Sequence, residues 1–139
     1  MQNVDLVQWI AFVVLTLLTL GGAIMVVADR NLFHGALWLL VIAFCVAAPV
    51  SEEVFARGFL YRGWSETFLR PAGAILLSSM VWTALHLQYD WFFFGEVFSI
   101  GLLLGYLRYR FNSTWLTVVL HGINNFAATL QSMWLAGNG

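Results

Sequence analysis

The sequence predicts an all-α fold, a polytopic transmembrane bundle of about five spans, and three observations carry that prediction. Apolar residues make up 61% of the 139, and charged residues only 9%, against about 25% charge in an ordinary soluble domain. Mean hydropathy is +0.83. The apolar residues fall in five membrane-scale runs and lack the alternation of barrel strands. Backbone in lipid must satisfy its own hydrogen bonds, so such runs fold as helices.

Leu6 to Ala28 is uninterrupted and long enough to cross the hydrocarbon core. Asp5 precedes it, no basic residue does, and no small-x-small cleavage site follows, so it reads as a retained span and not as a signal peptide. Asp29-Arg30-Asn31 is a polar turn. The second segment runs from Gly35 through Pro49 to about Gly63. Its first part, Gly35 to Ala48, amounts to about 21 Å of helix, too short to span. Pro49 removes a backbone donor and disfavours helix at Ala48. The segment therefore either kinks and continues, or restarts with Ser51 as cap; both readings keep Glu52 and Glu53 on helix inside the membrane. Arg70-Pro71-Ala72-Gly73 reads as a turn before the third segment, Ala72–Leu87. A short break at Gln88 to Asp90 leads to the fourth, Trp91–Tyr106. A turn over Arg108 to Ser113 leads to the fifth, Trp115–Leu135. Residues 1–34 are thus expected to form an N-terminal transmembrane helix and turn, and residues 35–139 the functional core. Gly101 and Gly105 offer a small-xxx-small face for close packing, and tryptophans near the span ends suit an aromatic belt.

The net charge of −1 gives no basic surface for nucleic acid, and all six basic residues are arginines. Cys45 is the single cysteine and can form no intrachain disulfide. With five spans, Arg62, Arg70, Arg108 and Arg110 share the side of the N-terminus and Arg30 lies opposite, which places the N-terminus in the cytoplasm. The expected location is an integral membrane one, in a bacterial inner (plasma) membrane.

The chemistry-bearing residues are few. Glu52 and Glu53 are adjacent acids in a membrane segment, where ionisable groups mark functional sites. Arg57 lies four residues after Glu53, on the same helix face, and can pair with it; Glu52 points about 100° away and is left for other work. His86 follows Trp82 by four residues near the end of the third segment. His121 lies early in the fifth segment, with Asn125 four residues on. From the Arg62 side, the acids lie about 15 Å deep, His121 about 10–12 Å and His86 about 20 Å, so one shared site is plausible. A bland reading competes throughout: a structural Glu53–Arg57 pair, and histidines bonded to carbonyls at helix ends. Glu96, a further intramembrane acid, and His34, in the turn before the second segment, read as structural.

Glu52-Glu53-x-x-x-Arg57, Trp82-x-x-x-His86 and His121-x-x-x-Asn125, with Ala48-Pro49 and Gly58 flanking the first motif, resemble the three-motif signature of the CPBP family, which groups type II CAAX prenyl endopeptidases with bacteriocin-processing and Abi proteins. The resemblance covers about Phe44 to Gln131. Trp82 departs from the usual phenylalanine, an aromatic exchange that alters packing. The resemblance implies an intramembrane endopeptidase in which Glu52 and His86 activate a water, His121 and Asn125 stabilise the oxyanion, and Glu53 and Arg57 hold the acids in register. No cofactor is expected. Zinc stays an open alternative, because two histidines and an acid can ligate it, although the His-Glu-x-x-His helix of zincins is absent. The expected partners are membrane lipid and a peptide or protein substrate. The competing function is a non-catalytic subunit or immunity-type protein that keeps the fold and binds a partner.

Overall fold

The computed structural model describes residues 2–138, with side chains from residue 6 onward. Among these there are helices and no strands, in five helical segments. Helix α1 spans Gln2–Ala28, α2 Leu32–Ser65, α3 Arg70–Ala84, α4 Trp91–Phe111 and α5 Thr114–Asn138. Three of them hold runs long and apolar enough to cross a membrane: Leu6–Ala28, Leu32–Ser65 and Trp91–Phe111. Helix α3 has 15 residues, or about 22 Å, short of a full span on its own. Leu17, Ile24, Phe59 and many other large apolar side chains point outward. A water-facing surface does not carry apolar area on that scale, whereas lipid accepts it.

Helix α2 decides where the acids lie. It neither stops at Pro49 nor restarts there. A π-helical turn over Ala43–Ala47 precedes the proline, and Ala48 N–H donates to the carbonyl of Ala43, five residues back. That wider turn leaves the Phe44 carbonyl free of the usual ladder, and the missing Pro49 N–H leaves the Cys45 carbonyl free as well. Helix α5 uses both. Asn125 Nδ2 donates to Phe44 O at 2.9 Å, and Gly122 packs so closely on Cys45 O that a Cβ would collide with it. Sequence, kink and helix packing are therefore one feature: the proline frees polar atoms, and Gly122 and Asn125 dock α5 against them. A second π-helical stretch covers Val54–Leu60.

Two turn expectations need correction. Arg70 to Gly73 is not a turn: α3 begins at Arg70, with Pro71 in its first turn, where a missing N–H costs nothing. Helix α4 continues to Phe111 and ends at Asn112, which adopts the left-handed conformation (φ 49°) that asparagine tolerates better than most residues. Helices α3 and α4 pack as the small-residue face predicts. A Cβ on Gly101 would lie 3.1 Å from the Trp82 ring, and one on Gly105 would lie 2.9 Å from Ile75.

Candidate active site

The acids, the arginine and both intramembrane histidines converge. Helix α2 presents Glu52, Glu53 and Arg57; His86 sits in the turn just after α3, one residue past its C-cap and so not on helix as the spacing suggests; His121 comes from α5. Glu53 and Arg57 are fully buried. Arg57 Nη1 donates to Glu53 Oε1 at 2.9 Å, as the four-residue spacing predicts. Arg57 Nη2 donates to the Gly101 carbonyl on α4 at 2.9 Å, and its guanidinium stacks 4.6 Å from the Trp82 ring. His121 Nδ1 lies 3.0 Å from the same Glu53 oxygen. A buried charge is tolerable only when paired and bonded, and these contacts satisfy that for the arginine.

Glu52 is partly exposed and faces the other way. Its Oε2 accepts from the Trp82 indole Nε1–H at 2.7 Å. It lies 3.9 Å from His86 Nε2 and 4.0 Å from His121 Nε2. Those gaps exceed a direct hydrogen bond and match two groups that share one intervening oxygen. His86 Nδ1 lies 3.0 Å from the Trp82 carbonyl. A carbonyl only accepts, so Nδ1 carries the proton, and a neutral His86 turns a lone pair at Nε2 toward Glu52. Tyr89 stacks on the His86 ring at 5.9 Å.

Trp82 does more than the aromatic exchange in its motif suggests. Its indole ring touches both imidazoles, at centroid distances of 5.0 and 5.3 Å, stacks on Arg57 and anchors Glu52. In the sequence, its place four residues before His86 hints at the contact with that ring alone. The Gly101 carbonyl is out of reach of sequence reasoning, because backbone acceptors leave no mark in side-chain patterns. Asn125 is on the expected face of α5, but one N–H of its amide is committed to Phe44 O. Glu96 is exposed on α4, and His34, in the first turn of α2 and not in the turn before it, pairs with Asp29 at 3.3 Å. Among the described residues, no three His, Cys, Asp or Glu side chains are disposed to hold a metal ion. A separate cavity of about 420 Å³ between α1, α2 and α5 is lined by apolar residues and Cys45 and carries no acid or histidine.

This fold and this acid–imidazole cluster define a polytopic membrane protein with a buried polar centre. The family model described as type II CAAX prenyl endopeptidase Rce1-like matches residues 34–127, and the chain belongs to that family. It is also similar to the UPF0177 protein YbdI of Lactococcus lactis subsp. lactis (strain IL1403), 28% identical over 85 residues that cover 61% of this chain and 44% of that protein. The aligned part thus spans less than half the length of that relative. No solved structure matches the chain.

Proposed function

We propose that the protein is an intramembrane endopeptidase that hydrolyses a peptide bond near the membrane surface with a water activated by Glu52 and His86. The observation that carries this is the pair of 3.9 and 4.0 Å approaches of two imidazole Nε2 atoms to one carboxylate oxygen. A structural ion pair needs none of it, since Glu53 and Arg57 already neutralise each other's charge.

The chemistry follows from the donors and acceptors. A water between Glu52 and His86 gives a proton to this pair, and the resulting hydroxide attacks the scissile carbonyl carbon. The carbonyl π bond breaks and its oxygen becomes the oxyanion. His121 is held at Nδ1 by Glu53, and a proton taken up at its Nε2 gives that ring an N–H to donate to the oxyanion. The second Nδ2–H of Asn125 adds to the same stabilisation. The tetrahedral adduct collapses, the C–N bond breaks, and the proton held by the pair passes to the leaving amine. Products are a new carboxylate and a new amine. Glu53, Arg57, Trp82 and the Gly101 carbonyl position these groups and do not touch the substrate. No step in this scheme passes through a metal or other cofactor.

We place the N-terminus and the α4–α5 turn in the cytoplasm, with the chain in a bacterial inner membrane. Comparing new protein termini, by terminal labelling and mass spectrometry, in membranes carrying the wild-type protein or Glu52→Gln tests the reading and reveals the substrate at the same time. Termini present only with the wild type are expected. Identical termini in the two membranes, with both proteins inserted, overturn it.

A further inference from the structure

A second buried arginine lies two helical turns beyond Gly101 on α4 and has a different environment. Arg108, near the end of α4, is only 8% exposed. Its Nη1 donates to Asn112 Oδ1 at 2.6 Å, its guanidinium lies 5.5 Å from the Tyr61 ring, and its Nε, like that of Arg57, is buried without a partner. Among the described residues no carboxylate pairs with it. An amide oxygen and an aromatic face solvate a cation but do not neutralise it, and a buried charge without a counter-charge is unfavourable. The guanidinium lines a polar cavity of about 550 Å³, together with Arg62, Tyr61, Ser65, Thr114 and Trp115. These supply a second cation, hydroxyls and an indole around one space.

We propose that this cavity binds the phosphodiester of a membrane phospholipid, with Arg108 as the fixed counter-charge and Arg62 closing from the rim. Three features favour that source of phosphate. The cavity lies at the membrane end of the bundle, between the last turns of α2 and α4 and the start of α5, where headgroups sit. Phe111, next in sequence to the lining residue Asn112, points outward and offers acyl chains a surface. Trp115, 40% exposed, has the amphipathic ring that favours this depth. Glu66 shares the wall and opposes a free dianion more strongly than a singly charged diester. A guanidinium also matches phosphate oxygens in a forked geometry. The site is separate from the Glu52 cluster and does not depend on how that cluster works.

Native mass spectrometry of the purified full chain in a neutral detergent tests this with three probes: phosphatidylglycerol, diacylglycerol with the same acyl chains, and inorganic phosphate. One phosphatidylglycerol should be retained, and diacylglycerol should not. Arg108→Gln should weaken retention about tenfold and Arg62→Gln by less. Asn112→Asp places a carboxylate beside Arg108, so it should also weaken retention while raising the unfolding midpoint without lipid. If Arg108→Gln does not fold, Asn112→Asp carries the test. Equal retention by wild type and Asn112→Asp overturns the proposal. Displacement of the lipid by inorganic phosphate assigns the site to a soluble anion and overturns the lipid reading. Arg108→Gln should not destabilise the lipid-free protein; a loss of stability there, matched by Asp5→Asn, assigns the counter-charge to the chain and overturns the proposal as well.

Discussion

Arg57 and Arg108 are both buried arginines on membrane helices, and they differ in what surrounds them. Arg57 has a carboxylate at 2.9 Å, a backbone carbonyl at 2.9 Å and an indole face at 4.6 Å. Arg108 has an amide oxygen, a tyrosine ring and an open polar cavity. The first is electrically complete within the protein and serves to hold other groups still. The second has no paired carboxylate among the described residues and lines an open polar cavity. The same buried side chain therefore marks a closed positioning unit in one place and an open binding site in the other. What separates them is whether an acid stands four residues before the arginine.

The largest effects should fall on the closed unit. Arg57→Met or Glu53→Gln strands the other charge and should cost about 3–5 kcal/mol of stability, read as a lower unfolding midpoint in detergent. Arg108→Gln in lipid-free detergent removes a charge that has no carboxylate partner among the described residues, and its midpoint should hold or rise. If both arginine variants fall equally, the contrast between the two sites is lost.

Glycine substitutions sharpen the comparison with opposite signs. Gly122→Ala drives a methyl into the Cys45 carbonyl and should destabilise by about 1–3 kcal/mol through overpacking. Gly63→Ala, in helix α2 beside the polar cavity, meets nothing nearby and should stabilise by about 0.5–1 kcal/mol, the usual helical gain. Equal midpoints for these two variants would mean that α5 does not dock on the Pro49 kink.

Trp82→Phe keeps an aromatic ring without the indole N–H. It removes one hydrogen bond to Glu52 and should cost about 1 kcal/mol in stability, together with a fall in turnover because Glu52 is less firmly placed. Turnover at the wild-type rate would show that the indole is packing only. The smallest effect is on topology. Single cysteines introduced in the α4–α5 turn, with Cys45 replaced, should react in intact cells with membrane-permeant reagents alone; labelling by an impermeant reagent inverts the orientation.

Much of the closed unit is legible in sequence, and little of the open one. Glu53 and Arg57 announce each other by helical spacing, and apolar run lengths announce the helices that carry them. The convergence of His86 and His121 is approachable only through estimated depths. His86 is the poorest fit there, because α3 ends at Ala84, before the histidine. The turn it occupies swings the imidazole toward Glu52. Pro71 suggests a turn because a proline breaks a helix interior, yet the same residue begins a helix well. The Phe44–Asn125 bond depends on a π turn that no side-chain pattern encodes. Arg108 looks in sequence like a surface charge that sets orientation; its burial follows from Tyr61 and Asn112 closing over it, which is tertiary information.

The central claim is that Glu52 reacts while Glu53 holds. The most direct test is turnover of a substrate, identified from the wild-type termini, by reconstituted wild type, Glu52→Gln and Glu53→Gln, each with its unfolding midpoint. Glu52→Gln keeps the side-chain volume and an oxygen for the Trp82 indole, so it should show no turnover at an unchanged midpoint, whereas Glu53→Gln should lose both. Wild-type turnover by Glu52→Gln would contradict the account.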